Sequence, residues 1–234
     1  MQEPVNKPLP IGQKARKDFP RFGLGRFARK FPTEQDRITI RIAGDIAQTL
    51  SISEELKALP RIEQVSDFHC VTTWSHLDVR WSGYRFADFY EQIVKPRAHP
   101  EQGADLVVFH GQDGYRCSLP LSDLLADDVL LADRLDGASL GLDHGAPLRL
   151  VAPAHYGYKN VKHIAAIEFW RDRRNYRFPL PYPTLMDHPR GRVAFEERGI
   201  GVPGWLLRCL YRLIVPFTVW NMRRASEAFR ARKR

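Results

Sequence analysis

Between residues 38 and 44 the chain alternates Ile38, Ile40 and Ile42 with Thr39 and Arg41 and then breaks at Gly44, the period-two pattern of a half-buried strand. Ser51 stands three residues before Glu54, a capping-box spacing that predicts a short helix through Leu59, stopped by Pro60. A strand is expected from about Val65 to near Cys70. Residues 86–94 carry helical spacing, whereas residues 106–109, 148–152 and 163–170 are short apolar runs beside turn residues and predict strands. Strands parted by short helices and irregular loops predict an α+β domain with mixed sheets over residues 33–172.

The two ends differ from this middle. Residues 1–32 are rich in Pro, Gly, Lys and Arg with scattered Phe, the composition of an extended basic arm able to wrap or cap a site. Residues 173–234 hold a proline-rich linker (Phe178-Pro-Leu-Pro-Tyr-Pro183), an apolar stretch from Trp205 to Trp220, and a basic tail from Arg223. The apolar stretch is interrupted by Arg208, Arg212 and Pro216 and falls short of the ~20 apolar residues that cross a bilayer. An amphipathic helix is expected there. It either lies on a membrane or a partner, or docks on its own domain with a solvated tail.

A formal net charge of +9 over 234 residues biases the chain toward anionic partners without naming one. Three widely separated cysteines, Cys70, Cys117 and Cys209, encode neither a disulfide framework nor a zinc site. That usage, with no apolar leader core in the first thirty residues, predicts a cytoplasmic protein, membrane-associated at most at its surface. A basic anion-binding module for nucleic acid or acidic membrane is the alternative to an enzyme. No helix-turn-helix, zinc-finger or aromatic-stacking signature supports it, so nucleic acid is not expected.

Alone, Cys70 reads as an ordinary buried cysteine. Its setting, Asp67-Phe-His-Cys-Val-Thr-Thr-Trp74 followed by Trp81-Ser-Gly83, resembles the cysteine segment of the sulfite oxidase-like molybdopterin oxidoreductases. A second block strengthens the resemblance: Leu130-Leu-Ala-Asp-Arg-Leu-Asp-Gly137, Asp143-His-Gly-Ala-Pro-Leu-Arg149, Pro153 and Tyr156-Gly-Tyr-Lys-Asn-Val-Lys162 follow in the family's order and spacing. Together these cover roughly residues 19 to 172. The resemblance implies a sulfite oxidase-type fold and a molybdenum-molybdopterin cofactor whose metal is bound by the Cys70 thiolate, a soft ligand suited to such a centre. It further implies that His144, Arg149, Asn160, Val161 and Lys162 hold the pterin and its phosphate, for which guanidinium, ammonium and main-chain NH donors are the fitting chemistry. His110, Gly111 and Asp113 would line the pocket, and Arg21 of the arm would lie over the pterin.

The family's sulfite oxidases carry a tyrosine where this chain has Asp133, so Asp133 is a candidate catalytic group that would alter the charge and pKa of the pocket. The activity implied is two-electron oxygen-atom transfer on a small sulfur- or nitrogen-oxide type substrate, an oxyanion or a sulfoxide. No haem-attachment, flavin, nicotinamide or iron-sulfur motif occurs, so electrons are expected to pass through a separate electron-transfer protein. The apolar segment at 205–220 is a candidate docking element.

Overall fold

The computed structural model describes residues 7–173, 176–180 and 184–232. The first six residues of the basic arm, Pro181, Tyr182 and Pro183 of the proline-rich linker and the last two residues of the tail lie outside this range.

Eleven strands among the described residues form two sheets. In one, β4 (Arg61–His69) and β5 (Trp74–Arg85) make a long antiparallel hairpin. The other edge of β5 is shared by β1 (Lys14–Ala15), paired in parallel at Trp74 and Ser75, and by β8 (Leu130–Leu135), paired antiparallel at residues 81–85. β9 (Ala138–Ser139) and β10 (Arg149–Val151) flank β8. The second sheet runs in the order β3 (Leu50–Ile52), β2 (Ile40–Gly44), β11 (Ile164–Trp170), β6 (Leu106–Gly111), β7 (Arg116–Pro120), with only the β2–β11 pair parallel.

One core cluster contains Ile40, Ile42, Ile52, Phe86, Phe109, Leu131, Leu150 and Ile167, drawn from both sheets. A second, with Val79, Trp81, Leu130, Ala132 and Ala146, gathers Phe19 and Phe68. Leu130, Leu131 and Ala132 are therefore all buried, with Leu131 in the first cluster and its neighbours in the second, which explains the unbroken apolar run of β8.

Three local expectations change. Ser51 is a ladder residue opposite Arg41, so it caps nothing; the helical turn is the 3₁₀ segment Glu54–Ala58, where the Glu55 carboxylate accepts from Ser53 N at 2.9 Å. Cross-strand pairing overrides the local cap signal, and Leu59 before Pro60 is extended as expected. The helix at Phe86 continues past Val94, through α1 (Phe86–Phe89), a π turn at Tyr90–Val94 and α2 (Lys95–Ala98), to His99 at φ 49°. The strand expected from Val65 begins at Arg61.

After α3 (Leu121–Leu124), the last helix, α4 (Gly204–Arg232), runs 29 residues through Pro216. Leu207, Tyr211, Met222, Ala225 and Ser226 form its buried face. Met222 and Ala225 pack on Ala28 of the arm, so the arm and the last helix share a small apolar cluster.

Candidate functional site

The β4–β5 hairpin reverses at residues 70–73. Cys70 N donates to Trp74 O at 2.8 Å, Thr73 N donates to Cys70 O at 3.2 Å, and Thr73 takes a left-handed φ of 76°. Cys70 is buried, and the atom nearest its Sγ in hydrogen-bonding terms is Thr72 Oγ1 at 3.1 Å. Burial pushes the thiol pKa up, opposed by the Thr72 contact and by the positive charges of Arg198 and Lys162. Two distant segments pin this turn. Gln13 Nε2 of the arm donates to Cys70 O at 3.1 Å, and Arg198 donates through Nη1 to Val71 O at 2.6 Å and through Nη2 to Ile11 O at 2.9 Å.

The HG-x-P-x-R and N-V-K motifs meet in space. Gly145, at φ +113°, is packed so closely that an added Cβ would lie 3.1 Å from Arg149 Cβ and 3.2 Å from Lys162 Cβ, a cradle that requires glycine. Arg149 is fully buried; its Nη1 donates to His144 O at 2.9 Å, its guanidinium lies 4.7 Å from the Trp81 ring, and Nη2 has no partner. Lys162 Nζ donates to Asp143 O at 2.8 Å. His144 lies beside the Phe19 ring, and its Nδ1 is buried without a partner.

Among the described residues neither Arg149 nor Lys162 makes a salt bridge to a carboxylate, and burial is the largest cause of the shift at Arg149, Lys162 and His144 alike. Arg149 is lowered to about 9 by burial; Lys162 to about 7 by burial with Arg149 and Arg21; His144 to about 3 by burial with Lys162 and Arg149. The Asp143 and Asp113 carboxylates act on Lys162 only through space, and the buried Arg149 Nη2 is left without a partner, so the pair of cations has room for an added anion. A phosphate-bearing ligand beside a buried thiol fits these residues. Among the described residues no group of three or more His, Cys, Asp or Glu could hold a metal ion.

The other candidate residues are placed differently. Asp133 is engaged by Arg61, which donates Nη1 to Oδ1 at 2.7 Å and Nη2 to Oδ2 at 2.8 Å. Arg61 opens β4 and Cys70 follows its last residue, His69, which lies eight strand steps or ~26 Å of rise from Arg61. Asp133 is thus not brought to the thiol. The side chain of Asn160 is spent internally, accepting from Ala152 N at 2.6 Å and facing the carbonyls of Ala152, His155 and Tyr156. Val161 is a core residue whose NH and carbonyl are both bonded within the fold. His110 lies 3.2 Å from Glu168 on β11 and lines a different cavity, with Arg26, Lys30 and Arg116. Gly111 is close to the cationic set, since a Cβ there would meet Lys162 O at 2.6 Å, and Asp113 Oδ1 accepts from Tyr115 N at 3.0 Å. Arg21 donates to the carbonyls of Phe27, Ala28 and Lys30, tying the arm to itself, with a contact to Ser226 of α4.

Gln13, Thr72, Arg198 and the α4 residues Ser226 and Arg230 escaped the sequence reading. Ser226 Oγ donates to Asp143 Oδ1 at 2.8 Å, and Arg230 pairs with Asp143 Oδ2. Only Thr72, two residues from the cysteine, left a local signal. Arg198 is 128 positions from Cys70 and marks its role by no spacing.

The family model for the oxidoreductase molybdopterin binding domain matches residues 28–178. An uncharacterized oxidoreductase, YuiH of Bacillus subtilis (strain 168), is 33% identical over 165 residues, 70% of this chain and 80% of that protein. The protein-methionine-sulfoxide reductase catalytic subunit MsrP of Xanthomonas axonopodis pv. citri (strain 306) is 28% identical over 185 residues, 70% of this chain and 57% of MsrP. In fold, the sulfane dehydrogenase SoxCD from Paracoccus pantotrophus aligns with a TM-score of 0.53 at 19% identity, covering 70% of this chain and 46% of that one. With a family model covering the thiol turn and the cationic cradle alike, the chain belongs to the oxidoreductase molybdopterin binding domain family, as a sulfite oxidase-like molybdopterin oxidoreductase whose cofactor is molybdenum-molybdopterin.

Proposed function

We propose that this chain performs two-electron oxygen-atom transfer on a small sulfur- or nitrogen-oxide type substrate, with Cys70 as the protein ligand of the molybdenum. The observation that carries the site assignment is the fully buried Arg149 guanidinium, with Nη2 unpartnered and no carboxylate paired to it among the described residues, together with the half-buried Lys162 and His144 near a pinned thiol. The bound cofactor supplies the redox change and the oxygen exchange. The protein's part is positional and electrostatic. Gln13 and Arg198 hold the thiol turn in place, Arg149 and Lys162 supply donors and charge for the phosphate, and the aromatic wall of Phe19, Phe68 and Trp81 excludes water and strengthens those charges. Reduction of an S–O or N–O bond takes two electrons and two protons and releases water; the oxidative direction is the reverse. The electrons are exchanged with a separate electron-transfer protein.

Elemental mass spectrometry of protein made in a cofactor-producing host tests this reading. We expect close to one molybdenum per chain, followed by turnover of a sulfoxide, an N-oxide or sulfite with an artificial electron carrier. Metal-free protein from a host shown to load a control enzyme would sink the assignment.

The depressed pKa of Lys162 predicts a pH signature. Its folded value, about 7, lies below the unfolded 10.5, so between these limits the cofactor-free folded state binds fewer protons than the unfolded one. Stability of the cofactor-free chain therefore rises with pH through that window. An anion bound at the site restores the ammonium, so inorganic pyrophosphate should bind with proton uptake at pH 8 and more weakly as pH rises. Titration calorimetry in two buffers of different ionisation enthalpy reads the uptake directly; Lys162→Met should remove it.

A further inference from the structure

We propose that the outer face of α4 is an attachment surface for an anionic lipid bilayer, on which the helix lies flat. Its inner face is already satisfied: Leu207, Tyr211 and Met222 are buried, and Ser226 is bonded to Asp143. Among the described residues nothing buries the outer face. Leu206, Leu210, Leu213, Phe217 and Trp220 recur at alternating spacings of four and three residues and, with Trp205, are 47–78% exposed. This is one apolar stripe, about 21 Å long. Scattered exposed apolar residues are ordinary, but a contiguous stripe of this kind marks a surface that is covered in use.

The charge around the stripe selects the occupant. From Gly199 to Ser226 there is no acidic residue, while four arginines fall there: Arg208 is paired with Glu196 and Arg223 with Glu227, and Arg212 and Arg224 leave the helix a net positive charge over this span. Arg212 and Arg223 are eleven residues, three helical turns, apart and so border the same edge of the stripe. Two copies packed stripe to stripe would face like charges across this border, whereas phosphate headgroups complement it. A tryptophan stands at each end of the stripe, where an indole sits well between hydrocarbon and headgroup. No helix among the described residues is long and apolar enough to cross a membrane, so the contact is peripheral. The same helix lines a cavity of about 360 Å³ beside His144, bounded also by Phe19, Arg21 and Asp143, and attachment would set that opening close to the headgroups. This surface is independent of the cofactor assignment.

Co-sedimentation of the full chain with vesicles tests the proposal. We expect binding to vesicles containing phosphatidylglycerol, roughly tenfold or more weaker binding to phosphatidylcholine alone, and release by high salt. Leu213→Glu with Phe217→Glu should abolish binding while circular dichroism and molybdenum content stay unchanged, because both positions face outward. Arg212→Glu, which leaves the apolar stripe intact, should weaken binding to the anionic vesicles selectively. Wild-type protein that stays in the supernatant with anionic vesicles overturns the proposal. So does a wild-type dimer in sedimentation equilibrium that the double substitution converts to monomer, since a second copy would then cover the stripe.

Discussion

A Cys70→Ser chain should fold like the parent and lose turnover by more than ~100-fold. Serine keeps the shape of the buried side chain and can still meet Thr72 Oγ1, which lies 3.1 Å from the sulfur, and the turn's backbone bonds to Trp74, Gln13 and Arg198 do not involve the side chain of residue 70. What is lost is the soft thiolate, the ligand type such a metal centre favours. Changes around the ligands of metal sites typically cost 10–100-fold in affinity or activity, and loss of the ligand itself should exceed that range. Molybdenum content and turnover, measured together, separate a chain that no longer holds the cofactor from one that holds it inertly. A fully active serine variant would remove Cys70 from the site.

The second large effect is expected at Arg149, where stability and function should move in opposite directions. The guanidinium is fully buried, faces no carboxylate, leaves Nη2 without a partner and is held to a pKa of about 9 by burial. Its compensations are a bond to His144 O, a longer one to Leu150 O and the Trp81 ring at 4.7 Å. A cation–π contact contributes about 0.5–2 kcal/mol, less than the several kcal/mol that desolvating an unpaired ion costs. The cofactor-free Arg149→Met chain should therefore be more stable to urea by ~1–2 kcal/mol, with methionine filling the volume. Its molybdenum content should fall by at least about tenfold. Strong destabilisation of the cofactor-free variant would mean instead that the guanidinium is chiefly a packing element between Trp81 and Phe68.

Asp133 and Asn160 mark the limit of what motif position conveys. Both stand in blocks that run in register with the family, yet the Asp133 carboxylate closes an ion pair with Arg61 and the Asn160 amide braces the loop from Ala152 to Tyr156. The direction of a strand side chain depends on its neighbours and on bulges such as the register shift between Ser82 and Gly83 opposite β8, which no local pattern encodes. Substitution of Asp133 would therefore act first on the Arg61 pair.

The sequence alone determined the strands whose apolar content exceeds any competing local preference, β2, β6, β10 and β11, because burial of such runs dominates every other local term. It also determined the family, since the spacings around Cys70, Arg149 and Lys162 run in the family's order and the family model matches across them. Tertiary structure decided the rest. β5 is too mixed in composition to announce itself, and it becomes a strand because β1, β4 and β8 supply its ladder. Ser51 joins a sheet edge instead of a cap for the same reason. Arg198 reaches the cysteine turn, and Ser226 and Arg230 reach Asp143, across chain separations that leave no periodic trace, because such contacts follow from how packed layers stack rather than from neighbouring residues. Cationic charge was readable from composition; that the buried Arg149 and the half-buried Lys162 converge without a carboxylate paired to either among the described residues follows only from the fold.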